Sequence, residues 1–176
     1  LSGYLTACVA ITYAIGFSEP SAEVWVDRAS ALDPDAFLTL WTRQLFLMSI
    51  RDWPRAIEAG RTALASSGWH SILLHELGLS LMESGDTAGG RAVYDEMRSR
   101  SVREYVSPMM LAALAAALGD TAAAIAHCHE AVRLRDPMFV VFAHGWPGPH
   151  HLQALPEYRR LAASVGLPGY TEHADA

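Results

Sequence analysis

The chain has 176 residues, 51% hydrophobic and 18% charged, enough to bury one core without a disulfide or metal staple. Its 13 basic residues are all arginine and are outnumbered by 19 acidic ones, and the net charge of −6 argues against a general nucleic-acid binder, which needs a basic face for phosphates. Lysine and asparagine are both absent, which excludes a P-loop, a Schiff-base lysine and an N-glycosylation sequon. The chain opens on an apolar run over residues 4–17, which has no basic leader and falls short of the about 20 apolar residues of a membrane span. No membrane contact and a cytoplasmic location are therefore expected, with Leu1 as a cut site in a longer protein. Cys8 and Cys128 each sit in an apolar, helix-like stretch and read as small buried hydrophobes of a reducing compartment.

Along the chain a fixed period appears. Gly85-Asp86 and Gly119-Asp120 lie 34 residues apart, each between an apolar helical run and a run of small residues. The same spacing relates Ala22, Ala56, Gly90 and Ala124, then Val26, Gly60, Tyr94 and Cys128, then Ala29, Ala63, Met97 and Ala131. Four units in one register predict helix pairs at 4–16 and 20–31, 37–50 and 54–66, 71–84 and 87–100, and 107–118 and 121–134, with no strand. Pro20 and Pro54 fall in the first turn of their helices, where a missing N–H costs least.

This pattern resembles the tetratricopeptide repeat, whose signature is W-x2-L-G-x2-Y, then A-x3-F, then A and P. The third unit carries it best, with Leu74, Leu77-Gly78, Leu81, Gly90 and Tyr94. The first offers Val9-Ala10, Tyr13, Ala22, Val26, Ala29 and Pro34, and the fourth Leu111-Ala112, Ala115, Ala124, Cys128, Ala131 and a late Pro137. The second keeps Leu40, Leu47, Ala56 and Ala63 but has Arg43-Gln44 where the Leu-Gly pair belongs. The resemblance implies an all-α fold, an α-α superhelix (solenoid) of four repeats at about 3–36, 37–70, 71–104 and 105–137.

Past Asp136-Pro137 the register is lost. An apolar short helix from Met138, a Pro/Gly/His bend over 144–151 and a last helix over 155–167 form the expected C-terminal capping segment, 138–169, before a frayed tail at 170–176. This order is similar to the C-terminal end of bacterial multidomain regulators in which such an array follows a winged-helix, nucleotide-cyclase or protein-kinase domain.

In such solenoids the first helices line a concave face. The register places Tyr4, Ala7 and Ile11, then Leu38, Trp41, Leu45 and Met48, then Ile72, His75, Leu79 and Met82, then Met109 and Ala113 on that face. It is apolar and has neither the lysines nor the asparagines with which familiar relatives hold a peptide's carboxylate. Two readings stand side by side. Either the groove takes a helical or hydrophobic segment of a partner protein or of its own effector domain, or residues 138–167 or a second copy of the chain cover it.

Metal and catalytic chemistry find little support. His127, Cys128 and His129 point about 100° apart on a helix, and His144, His150 and His151 lie in a loop without a partner at zinc spacing. His75-Glu76 lacks the second histidine of H-E-x-x-H, and Ser80, Ser84 and Ser107 lack a nucleophile-elbow context. The expectation is a non-catalytic, cofactor-free and metal-free interaction or regulatory module. The alternatives are a small-molecule sensor with Tyr4, Trp41, His75 and Glu83 around its pocket, and a homodimerisation device.

Overall fold

The structure, a computed structural model, describes residues 2–16, 19–144, 146, 147 and 149–170. All secondary structure among them is helical, with no strand. The eight helices of the repeat region are α1 (Gly3–Gly16), α2 (Glu19–Leu32), α3 (Phe37–Ser49), α4 (Trp53–Ser67), α5 (Ser71–Glu83), α6 (Thr87–Arg100), α7 (Pro108–Ala117) and α8 (Thr121–Leu134). Each begins and ends within one residue of the bounds expected from the 34-residue register. The capping segment adds α9 (Met138–Ala143), α10 (His150–Gln153) and α11 (Pro156–Ser164), so a short helix begins at the end of the expected bend and the last helix stops at Ser164, three residues before the expected 167. Residues 171–176 of the expected frayed tail lie outside the described residues.

The register is written into the turns. At residues 51, 85 and 119 the backbone is left-handed, with φ of 58° at Arg51, 97° at Gly85 and 77° at Gly119. In each case the next residue is aspartate, and its N–H returns to a carbonyl five residues back: Asp52 to Leu47, Asp86 to Leu81 and Asp120 to Ala115, all at 2.9 Å. This closes one helix, and the same aspartate caps the next by accepting the N–H of Arg55 at 3.3 Å, Gly89 at 2.8 Å or Ala123 at 3.0 Å. Glycine fits the left-handed position without a Cβ clash, and Arg51 adopts it at a steric cost.

The chain divides into two compact units, Leu1–Val93 and Tyr94–Ala176. In the first, α1 pairs with α2 and α3 with α4, while α3 also packs on α1 and α5, and α4 on α5. Small residues at the register positions allow that approach: Ala7, Ala10, Ala22, Ala29, Ala56 and Ala63 are fully buried. A cluster of Leu40, Ala63 and Leu73 is flanked by Phe37, Trp41, Leu64 and Ile72. Burying a large apolar side chain of this kind contributes roughly 1.5–3 kcal/mol.

In the second unit α7 pairs with α8, α9 and α10 pack on α7, and α11 packs on α8. Asp136 organises the exit from the repeats. Its Oδ2 accepts the Ser107 hydroxyl at 2.5 Å and the Met109 N–H at 3.3 Å, and its Oδ1 accepts the Met138 N–H at 3.0 Å, so one buried carboxylate caps both α7 and α9. Arg135, left-handed at φ 56°, ends α8 immediately before it, which gives the Arg-Asp-Pro sequence a geometric reason. Tyr170 donates to the Ala143 carbonyl at 3.3 Å and packs edge-on against buried Tyr158.

Candidate functional site

The groove residues named from the register divide by exposure. In the first unit Tyr4 is 67% exposed, and Ile11, Leu38, Trp41, Ile72 and Met82 are half-buried. Leu45, Met48, His75 and Leu79 are at 2% or less, so these four belong to the core and, contrary to the expectation, are not available to a partner. In the second unit Met109 and Ala113 on α7 are buried as well, and α9 and α10 pack on that helix. The capping segment thus covers α7 itself, while the accessible apolar positions belong to α1, α3 and α5.

Between α3 and α5 lies a polar layer that residue spacing did not reveal. The Trp41 indole N–H donates to Glu76 Oε1 at 2.9 Å, and Glu76 is fully buried. Burial pushes the Glu76 carboxyl up to about 8, and the bond from Trp41, which favours the ionised form, only partly opposes it. His75, one residue earlier and equally buried, is lowered by burial to about 3. Both groups on α5 are therefore uncharged at neutral pH. The fully buried Gln44 donates its amide to the Leu73 carbonyl at 3.3 Å and stands directly over Gly60, where a Cβ would meet its Nε2 at 2.5 Å. A chemical clue to this layer was present in the sequence, since Gln44 occupies the register position of Gly78 and Ala112, and Gly60 that of Tyr94 and Cys128.

The remaining candidates are structurally engaged. Ser80 Oγ donates to the Glu76 carbonyl at 2.8 Å and Ser84 Oγ to the Leu81 carbonyl at 2.7 Å, and Ser107 bonds to Asp136. His127 is half-buried against the Tyr94 hydroxyl at 3.1 Å, with its pKa lowered by burial and by the charge of Arg98. Cys128 is buried and its thiol is pushed up to about 12 by desolvation, so it stays protonated, while His129 on the same turn is exposed. The three consecutive side chains meet different surroundings, as expected from helix geometry.

A separate cleft of about 330 Å³ opens between α2 and α4 over α3. Its floor is Val26, Leu40, Phe46 and Leu47, and its rim carries Glu23, Asp27, Glu58, Arg43 and Arg55. Arg43 donates to Ser30 Oγ at 2.9 Å and Arg55 pairs with Asp52 at 3.2 Å, so both cations are already engaged. Among the described residues no helix is long and apolar enough to cross a membrane. Comparison of the chain with family models, with curated proteins and with solved structures gives no match in any of the three.

Proposed function

We propose that this chain is a non-catalytic binding module of tetratricopeptide type, a helical-hairpin solenoid whose α1, α3 and α5 face takes an apolar or amphipathic helical segment. The segment belongs to a partner protein or to an effector domain linked to the module, in the manner of the bacterial regulators its C-terminal end resembles. The observation that carries this reading is the face itself. Leu38, Trp41 and Ile72 are half-buried apolar side chains, Trp41 bonds to the buried Glu76, and neither Glu76 nor the buried His75 carries charge at neutral pH. Such a surface offers nothing to a terminal carboxylate and rewards apolar contact. The recurrence of left-handed turn and capping aspartate at 51–52, 85–86 and 119–120 supports the repeat assignment.

Selection from a displayed library of helical peptides tests the reading, with Ile72→Glu and Leu38→Glu as counter-targets. Peptides with an apolar stripe should bind the wild-type chain and lose at least about tenfold in affinity on either variant, with helicity unchanged. Selected peptides that bind wild type and variants equally overturn the assignment of the face. A second reading, a small-molecule sensor, draws on the cleft between α2 and α4, whose volume suits a compact ligand with an apolar body. A thermal-shift screen reads it directly, since saturation at 100 times the dissociation constant adds about 2.7 kcal/mol.

A further inference from the structure

Of the departures from the repeat, Arg43 is one that the segment-binding face does not use. Its register position holds Val9 in the first repeat, Leu77 in the third and Leu111 in the fourth, and both leucines are buried. In the second repeat Leu40, Arg43 and Leu47 follow one another along a single stripe of α3, so the arginine interrupts an apolar floor at its middle. Arg43 is exposed where Leu77 and Leu111 are packed, and it lines the cleft of about 330 Å³ between α2 and α4.

The charges around this cleft are not matched to one another. Among the described residues the Arg43 guanidinium is bonded to a neutral group, the Ser30 hydroxyl at 2.9 Å, and has no carboxylate partner. Glu23 and Asp27, one turn apart on α2, and Glu58 on α4 line the same cleft, and none of them forms an ion pair among those residues. The other arginine, Arg55, is held by Asp52 at 3.2 Å. We infer that the cleft binds a free apolar α-amino acid of leucine type, its carboxylate on Arg43, its ammonium among Glu23, Asp27 and Glu58, and its side chain on the buried apolar floor. The inference rests on the reading of this cleft as a small-molecule site and names the ligand class. A guanidinium presents a fork that takes a carboxylate with two parallel bonds. An apolar amine would leave that fork without an anion, and an apolar acid would meet three carboxylates, whereas a zwitterion answers both. Its two charges sit on neighbouring atoms of one carbon, which suits a cleft at the small end of ligand sites.

Isothermal titration of the chain with L-leucine should give one site with a Kd below about 1 mM. L-Leucinamide, which lacks the carboxylate, and isocaproate, which lacks the ammonium, should each bind at least about tenfold more weakly, because each loses a hydrogen bond between charged groups. Arg43→Gln leaves the cleft open, so it should lose at least about tenfold in affinity for L-leucine and bind L-leucinamide as the wild type does. Arg43→Leu, which installs the residue of the third and fourth repeats, should fold with an unchanged helical spectrum and bind neither. No binding of L-leucine, or L-leucine binding to either variant as tightly as to the wild type, overturns the inference. L-Leucinamide binding as tightly as L-leucine also overturns it but keeps the cleft as a small-molecule site, so the two readings fail separately.

Discussion

Gln44 and Gly60 show how a departure from a repeat is absorbed at the level of single residues. The same two register positions hold Ala10 with Val26 in the first repeat and Ala112 with Cys128 in the fourth, a small residue on the first helix and a larger one on the second. The second repeat inverts the sizes, and the Gln44 amide occupies the space that the missing Gly60 side chain leaves. Gly60→Ala should therefore destabilise by about 1–3 kcal/mol although alanine is the better helix former, because the buried amide has to leave its bond to Leu73. Gln44→Ala alone opens a cavity. Combining Gln44→Ala with Gly60→Val should recover the loss, giving a coupling of about 1–3 kcal/mol in a urea-denaturation cycle. The combined variant also removes Gln44 Oε1, which is buried without a hydrogen-bond partner, so it should at least match the wild type. The anomaly at Gln44 was legible in the sequence, but its compensation was not, since residue spacing carries no distances. The expected helix bounds, 37–50 and 54–66, placed the turn at Arg51-Asp52, but its capping aspartate went unnoticed because the turn has no glycine, although the 34-residue spacing of Asp52, Asp86 and Asp120 was there to be read.

At the scale of elements, α3 and α5 are joined by a layer whose protonation follows from burial. Unfolding returns Glu76 to its ordinary value of 4.5 and His75 to 6.5, from about 8 and about 3 in the folded chain. Between pH 4.5 and 6.5 the folded state holds one extra proton on Glu76 and the unfolded state one extra on His75, so the two contributions to the pH slope cancel. From pH 6.5 to 8 only Glu76 counts, and stability falls as pH rises because the unfolded carboxyl ionises freely. From pH 4.5 down to 3 only His75 counts, and stability falls with pH because the unfolded imidazole takes up a proton that the buried one refuses. Chemical denaturation across pH should show Glu76→Gln flattening the alkaline limb and leaving the acid limb intact. An alkaline limb of equal slope in Glu76→Gln would place the titration elsewhere. Helix ends in these elements were readable to a residue because caps and turns are local, whereas the bond from Trp41 to Glu76 joins residues 35 apart and depends on which faces meet.

For the molecule as a whole, the 34-residue period predicts an array of hairpins, and within the two units the most extensive helix pairs, α1–α2, α3–α4 and α7–α8, are each adjacent in sequence. In such an array stability is nearly one-dimensional, a sum of local hairpins and the contacts between neighbours. The capping segment tests this property, because Phe142 is fully buried in the second unit, its ring tilted 35° against that of Trp146, on a helix that packs against α7 and α8. Phe142→Ala should cost about 3–5 kcal/mol locally. In native-state hydrogen exchange the variant should lose protection in α7, α9, α10 and α11. The amides of α1 to α4, whose partners all lie in the first unit, should exchange as they do in the wild type. Equal loss of protection in all helices would mean that the chain unfolds as one cooperative block, and the one-dimensional account would have to be abandoned. The sequence signalled this segment only as a loss of register with a Pro/Gly/His bend, because its helices obey no repeat. The two-residue link from Asp136 into α9, by contrast, was already present in the Arg-Asp-Pro that closes the last hairpin.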